Sequence, residues 1–210
     1  MASDVASGPR VTAELPSVDA LWLDTLQRIC TRAAHELKGA LNGVSVNLEV
    51  VRSRSERSSS PASSVAKFAS SATDQLGTVI AMTDALLSLA RPSREPVDIG
   101  AVIRRLDVLL APAARTDGRR LELKGAIDEI GVTSAIGNAA RMVLGASLLV
   151  AIDASSDVEC DVRSAASAVV RIECRDGTTP AIEADVIAVA AEQGIALRAE
   201  SSVISISFPR

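Results

Sequence analysis

Tyrosine is absent from the sequence and the other aromatics are few: Trp22, Phe68 and Phe208 in 210 residues. A core must therefore be assembled from Leu, Val, Ile and Ala, which suits close helix packing. The aromatic platforms on which nucleic-acid bases stack are missing. Basic residues are not in excess either: a formal net charge of −4 and a pI near 5.1 give no electrostatic reason to seek a phosphate backbone or an anionic membrane surface. Long hydrophobic runs are lacking. The longest, Met142 to Ile152, is interrupted by Gly145 and Ser147, well short of the ~20 residues a membrane-spanning helix needs. The opening MASDVASGPR has no hydrophobic signal core. These absences predict a cytoplasmic protein with neither nucleic acid nor a membrane as partner. Cysteine is scarce and odd in number: Cys30, Cys160 and Cys174 lack CxxC spacing, which fits reduced thiols acting as small buried hydrophobes. Histidine occurs once, at His35, in neither a GxSxG nor an HExxH context.

What is present is enough to fold. A hydrophobic fraction of 48% supports a real core, in one large domain or two small ones. Residues 1–16 are small and polar and are expected to be disordered. Pro16 and Ser17 then mark a helix start, with Ser17 as cap and Asp19 in the first turn. From Leu21 through Leu26, Ile29, Ala33, Leu37, Leu41, Val44, Leu48 and Val51, apolar residues recur every three or four positions, the period of an amphipathic helix running to about Arg54. Roughly 38 residues of helix extend about 55 Å. The stretch Ser53 to Ser64, rich in serine and interrupted by Pro61, reads as a hairpin loop. A second periodic run follows, from Val65 through Phe68, Ala72, Leu76, Val79, Ile80 and Leu87 to Leu89, ending before Pro92. Two long antiparallel helices that each bury one stripe leave apolar surface over, and the usual remedy is a homodimer joined as a four-helix bundle.

The segment from Arg91 to Pro96 reads as a linker, after which the pattern mixes periods. The expectations are a short strand at Val97 to Ile99, a helix from Ala101 to about Ala114, a turn at Asp117-Gly118, a strand at Leu121 to Leu123, and a helix from about Ser134 to Ala154. Strands at Ala168 to Cys174 and Val203 to Phe208 then flank a helix from Glu183 to about Gln193. The fold class is α+β, with residues 17–92 forming the hairpin and residues 93–210 a second domain.

His35 lies mid-helix in RAAHELKGALN, Arg32 to Asn42. A neutral imidazole can attack a phosphoryl donor without prior activation. Glu36 beside it is placed to orient or polarise the ring, and Lys38 to attract phosphoryl oxygens. HELKGALN resembles the phosphoacceptor box of histidine kinases: His35, Glu36, Leu37, Lys38, Gly39 and Leu41 match, and Ala40 stands where the family has proline, a change that removes a kink but not the chemistry. The resemblance continues along the chain. DALLSLARP, Asp84 to Pro92, is similar to the exit from the family's dimerisation hairpin. The stretches Pro96 to Leu123 and Ile187 to Pro209 are similar to the opening and closing elements of its ATPase-like domain, an α/β sandwich.

The likeness fails at the nucleotide. Where the family's asparagine helix helps to hold Mg²⁺ and phosphates, ASLLVAIDA (Ala146 to Ala154) places Ala146 and Val150, and aliphatic side chains cannot ligate a hard cation. In ECRDGTTPAI, Glu173 to Ile182, Asp176 matches the family's adenine-reading acid, but Thr178 and Pro180 replace both glycines, and Asp176-Gly177 reads as a plain turn. The lid and second glycine-rich turn are reduced to a few residues, and no GxxxxGK[ST] compensates.

The resemblance thus implies a histidine phosphotransferase derived from a histidine kinase. His35 would shuttle a phosphoryl group between receiver-domain aspartates, assisted by Glu36 and Lys38, with a degenerate ATPase-like domain retained. No cofactor and no metal would be bound by this chain, Mg²⁺ being supplied by the receiver. The expected partners are a second copy and response-regulator receiver domains and/or a hybrid histidine kinase, docking around Gly39, Asn42 and Ser45 on the face of His35. Two other readings stay open. One is a scaffold or inhibitor that binds a kinase or response regulator without carrying phosphate. The other is a divergent kinase or phosphatase, disfavoured because phosphatase activity in the family wants Asn or Thr four residues after the histidine, where Gly39 stands.

Overall fold

The computed structural model describes residues 15–57, 62–164 and 168–209. The disorder expected of residues 1–16 falls, up to residue 14, outside the described residues, as does the centre of the expected hairpin loop. Helix α1 spans Val18–Ser55 and starts where Ser17 predicts it: the Ser17 hydroxyl accepts a hydrogen bond from the Ala20 N–H at 3.2 Å, and Asp19 lies in the first turn. Helix α2, Ala62–Ala90, folds back along α1. Their register is set by a polar layer in an otherwise apolar seam: the Asn47 side-chain amide donates to Ser71 Oγ at 3.1 Å and to Gln75 Oε1 at 3.0 Å. Gly43 makes room for this layer, since a Cβ there would collide with the Gln75 amide.

Helix α3, Ile99–Thr116, begins two residues earlier than its apolar period suggests, because Asp98 Oδ1 accepts from the Ala101 N–H at 2.9 Å and caps it. The strand expected at Val97 to Ile99 is thereby corrected to a single bridge, Asp98 to Val132. Strand β1 (Arg120–Gly125) and a short 3₁₀ turn (Ile127–Glu129) lead to α4, Gly137–Ala154. That helix starts later than Ser134, because Ser134 N–H is engaged by the Pro209 carbonyl at 3.1 Å and Ala135 N–H by Thr133 Oγ1 at 3.1 Å. Strand β2 (Asp157–Ser164), strand β3 (Ala168–Cys174), helix α5 (Ala184–Glu192), strand β4 (Ala196–Glu200) and strand β5 (Val203–Phe208) complete the chain. The described architecture is therefore mixed helix and sheet: five α-helices and one five-stranded sheet in the order β1-β2-β3-β5-β4, with β1 parallel to β2 and the other pairs antiparallel.

The sheet has two unlike faces. Val158, Cys160, Val170, Ile172, Ile204 and Ile206 point inward and are fully buried beneath α3, α4 and α5. The alternate residues carry charge into solvent and pair across strands, as with Lys124 and Glu159 at 2.8 Å, or along one, as with Arg171 and Glu173 at 3.2 Å. Helix α4 is long and apolar enough to cross a membrane by length and composition, but 83% of it is buried inside the fold. It is apolar because it is covered on opposite sides, by the sheet and by α1. Gly145 permits that second contact: a Cβ added there would stand 2.8 Å from Thr25 Cγ2 and 3.3 Å from Ile29 Cδ1.

Candidate functional site

Position on α1 decides what His35 can meet. Residues Arg28, Arg32, His35, Gly39 and Asn42 follow one another at spacings of four, three, four and three, so they form one ridge along the helix. His35, Gly39 and Asn42 on it are exposed, and nothing stands within 4 Å of a Cβ built on Gly39. Lys38 and Ser45 lie beside the ridge and are also exposed. Among the described residues Lys38 has no ion-pair partner, while the Ser45 hydroxyl donates to the Leu41 carbonyl at 3.1 Å. Glu36 is half-buried, and no hydrogen bond joins it to His35. Consecutive residues of a helix point about 100° apart, so the structure brings together the ridge but not this pair.

The lower end of the ridge meets the end of α4 and the start of α5, and no sequence signal marks the residues that receive it. Arg32 forms a salt bridge to Asp153, in the last turn of α4; Arg28 lies 3.6 Å from the same carboxylate and 3.7 Å from Glu183, just before α5. Further down, Asn138 ties three segments together. Its side-chain amide donates to Asp19 Oδ1 at 2.8 Å, its Oδ1 accepts from the Ser93 N–H at 3.3 Å, and its own N–H donates to the Ser93 carbonyl at 3.1 Å. Arg141, one turn on and buried, donates to the carbonyls of Arg91 at 2.5 Å and Leu89 at 3.4 Å, closing the C-terminal end of α2. Burial, and then the neighbouring Arg105, lower its affinity for its proton from the usual guanidinium value.

Ala146 and Val150, the positions singled out for lacking asparagine, face Leu21, Thr25 and Arg28 of α1 and Val186 of α5 across a cavity of about 10 Å³, room for a single water. Asp176 is committed to its own turn: it accepts from the N–H groups of Ser156 at 2.9 Å and Thr178 at 3.1 Å, which hold its carboxyl well below the usual range, and Gly177 follows at φ +79. A groove of about 510 Å³ opens on the far, charged face of the sheet beside Arg171, Arg198 and Ser205. Among the described residues no group of three His, Cys, Asp or Glu side chains is placed to hold a metal ion. All three cysteines are free. Cys160 and Cys174 are buried in the sheet layer, and burial, with Asp107 and Asp161 adding to it, pushes the Cys160 thiol up to about 12.

No family model matches this sequence, and no curated protein matches it. Among solved structures, the chain is similar to the Acinetobacter baumannii histidine kinase AdeS at 13% identity, covering 83% of this chain and 97% of that one with a TM-score of 0.42.

Proposed function

We propose that this chain is a histidine phosphotransferase of a two-component phosphorelay, a cytoplasmic homodimer that carries a phosphoryl group on His35 and does not use ATP. The observation that carries the reading is the exposure of the single imidazole on an open helix ridge, inside a sequence that resembles the phosphoacceptor box of histidine kinases. In the transfer, a ring nitrogen of His35 attacks the phosphorus of a receiver's aspartyl phosphate. The N–P bond forms as the acyl-phosphate O–P bond breaks, and the electron pair returns to the aspartate carboxylate. The reverse of the same step delivers the group to a second receiver. Such transfers depend on positioning and charge neutralisation, and Lys38, exposed and without an ion-pair partner among the described residues, is available for the second. Gly39, Asn42 and Ser45 would meet the receiver, whose own acidic pocket would bring Mg²⁺. The filled space beside Ala146 and Val150 supports the absence of a nucleotide step.

The reading is tested with receiver domains charged by a labelled acyl phosphate and mixed with the full-length chain. Acid-labile label should appear on the wild type and be absent from His35→Ala. Label that persists in His35→Ala, or its failure to appear with every receiver of the same cell, would remove the relay. One observation favours a second reading, a scaffold that holds a kinase or response regulator without taking phosphate: Glu36 is not hydrogen-bonded to the ring it was expected to polarise. In that case binding to a receiver survives in His35→Ala and no label transfers.

A further inference from the structure

The phosphotransfer reading leaves unexplained why two guanidinium groups converge on one carboxylate immediately below the reactive ring. Arg32 precedes His35 by three positions, one helical turn, which brings the two side chains onto neighbouring points of the same ridge. Its guanidinium pairs with Asp153, reached across 121 residues of chain, and Arg28, a further turn down, shares that carboxylate at 3.6 Å while also lying 3.7 Å from Glu183. The side chains of Arg32 and Asp153 are 26% and 48% exposed, so their pair stands in water, where such contacts are weak. A phosphoryl group is a stronger partner for a guanidinium, since the planar fork matches its oxygens two at a time.

Resting on that reading, the geometry points to Arg32 as a catalytic cation: the α4 carboxylate parks it one turn from His35, and it turns to the phosphoryl oxygens as the N–P bond forms. The exchange leaves no orphaned charge, because Arg28 remains beside Asp153 when Arg32 departs. This gives the retained α/β domain a task in the transfer that does not require nucleotide. Lys38 approaches the phosphoryl from the following turn, so His35 would lie between two cations on successive turns.

The inference separates the two partners of one ion pair. The full-length chain is phosphorylated with phosphoramidate, and the rate at which His35 is modified is followed by ³¹P NMR and by the resonances of the chain's only imidazole. Arg32→Ala should slow the reaction about tenfold or more, the scale expected for a partly exposed transition-state donor. Arg32→Lys should restore much of the rate, and Asp153→Asn should match or exceed the wild type because it releases the guanidinium. If Arg32→Ala and Asp153→Asn are slowed alike, the pair is only a tether between domains and the inference is overturned. An Arg32→Ala variant as fast as the wild type overturns it equally. A wild type that takes no phosphate on His35 while its imidazole resonances show a folded chain removes the phosphotransfer reading itself.

Discussion

Asp107 sits half-buried on the face of α3 that turns toward the sheet, and its desolvation raises its carboxyl above the usual value of 3.8, against the opposing pull of Arg115. A carboxyl whose pKa is higher in the folded than in the unfolded chain binds its proton more tightly when folded. Its contribution to stability is therefore complete below 3.8 and is lost as pH rises through the folded value. At neutral pH the ionised group is a cost. Asp107→Asn should accordingly raise the melting temperature at neutral pH, and the gain should shrink on acidification and vanish below the unfolded carboxylate value. A gain that is the same at all pH values, or a loss at neutral pH, would show that Asp107 is held by a partner rather than penalised by burial. The same environment accounts for the thiols: Cys160, pushed up to about 12 chiefly by burial, is a core residue as its lack of CxxC spacing implies. At the candidate site, His35 was legible because it is unique and embedded in HELKGALN. Its neighbours Arg28 and Arg32 were visible in the string but without meaning, since the acids that engage them lie more than a hundred residues away.

Where α1 crosses α4, Gly145 is the residue that lets the two helices approach. Gly145→Val would drive methyl groups into Thr25 and Ile29, both buried, with nowhere for either to retreat. The expected loss is about 1–3 kcal/mol, the usual cost of overpacking a filled core, read as a lower melting temperature and faster amide exchange along Trp22 to Ala33. Gly77→Val is the control, because a Cβ at Gly77 meets nothing within 4 Å. Equal effects at the two sites would mean that helix propensity, not the crossing, is being measured. The elements themselves were unevenly readable. Strands β3 and β5 are rich in Val and Ile with polar residues between them, and lie where that pattern puts them. Strand β2 alternates more strictly still, Val158, Cys160 and Val162 standing between Asp157, Glu159, Asp161 and Arg163, but with three apolar residues among four charges it also fits a solvated loop. Strand β4 gives almost none, as only Leu197 within it is buried. The crossing of α1 on α4 was not readable at all: it depends on a glycine that looked only like an interruption of an apolar run.

At the scale of the whole molecule, the apolar surface left over by one chain argues for a second. Leu23, Leu41 and Leu48 on α1 are 56%, 49% and 53% exposed, and Leu76, Ile80 and Leu87 on α2 are 46%, 54% and 58% exposed. Each row follows helical spacing and stays on one face of its helix, and the Asn47 to Gln75 register sets Leu48 near the level of Leu76 and Leu41 near that of Ile80. His35 precedes Leu41 by six positions, which places it about 120° around α1 from that row, so covering the row with another hairpin would leave the imidazole in solvent. Packing two hairpins row against row would cover mainly Leu and Ile side chains, whereas a glutamate at the centre of the α2 row would have to be desolvated twice, once per copy. Ile80→Glu is therefore expected to weaken self-association by about a hundredfold or more, in line with the loss of a central apolar anchor. Sedimentation equilibrium should show the wild type as a dimer and Ile80→Glu as a monomer of unchanged helix content. Exposed Leu15, outside the two rows, supplies the comparison, because Leu15→Glu should leave the dimer intact. A wild type that sediments as a monomer at every accessible concentration would mean that these rows are reserved for a different protein, and the four-helix bundle would have to be given up.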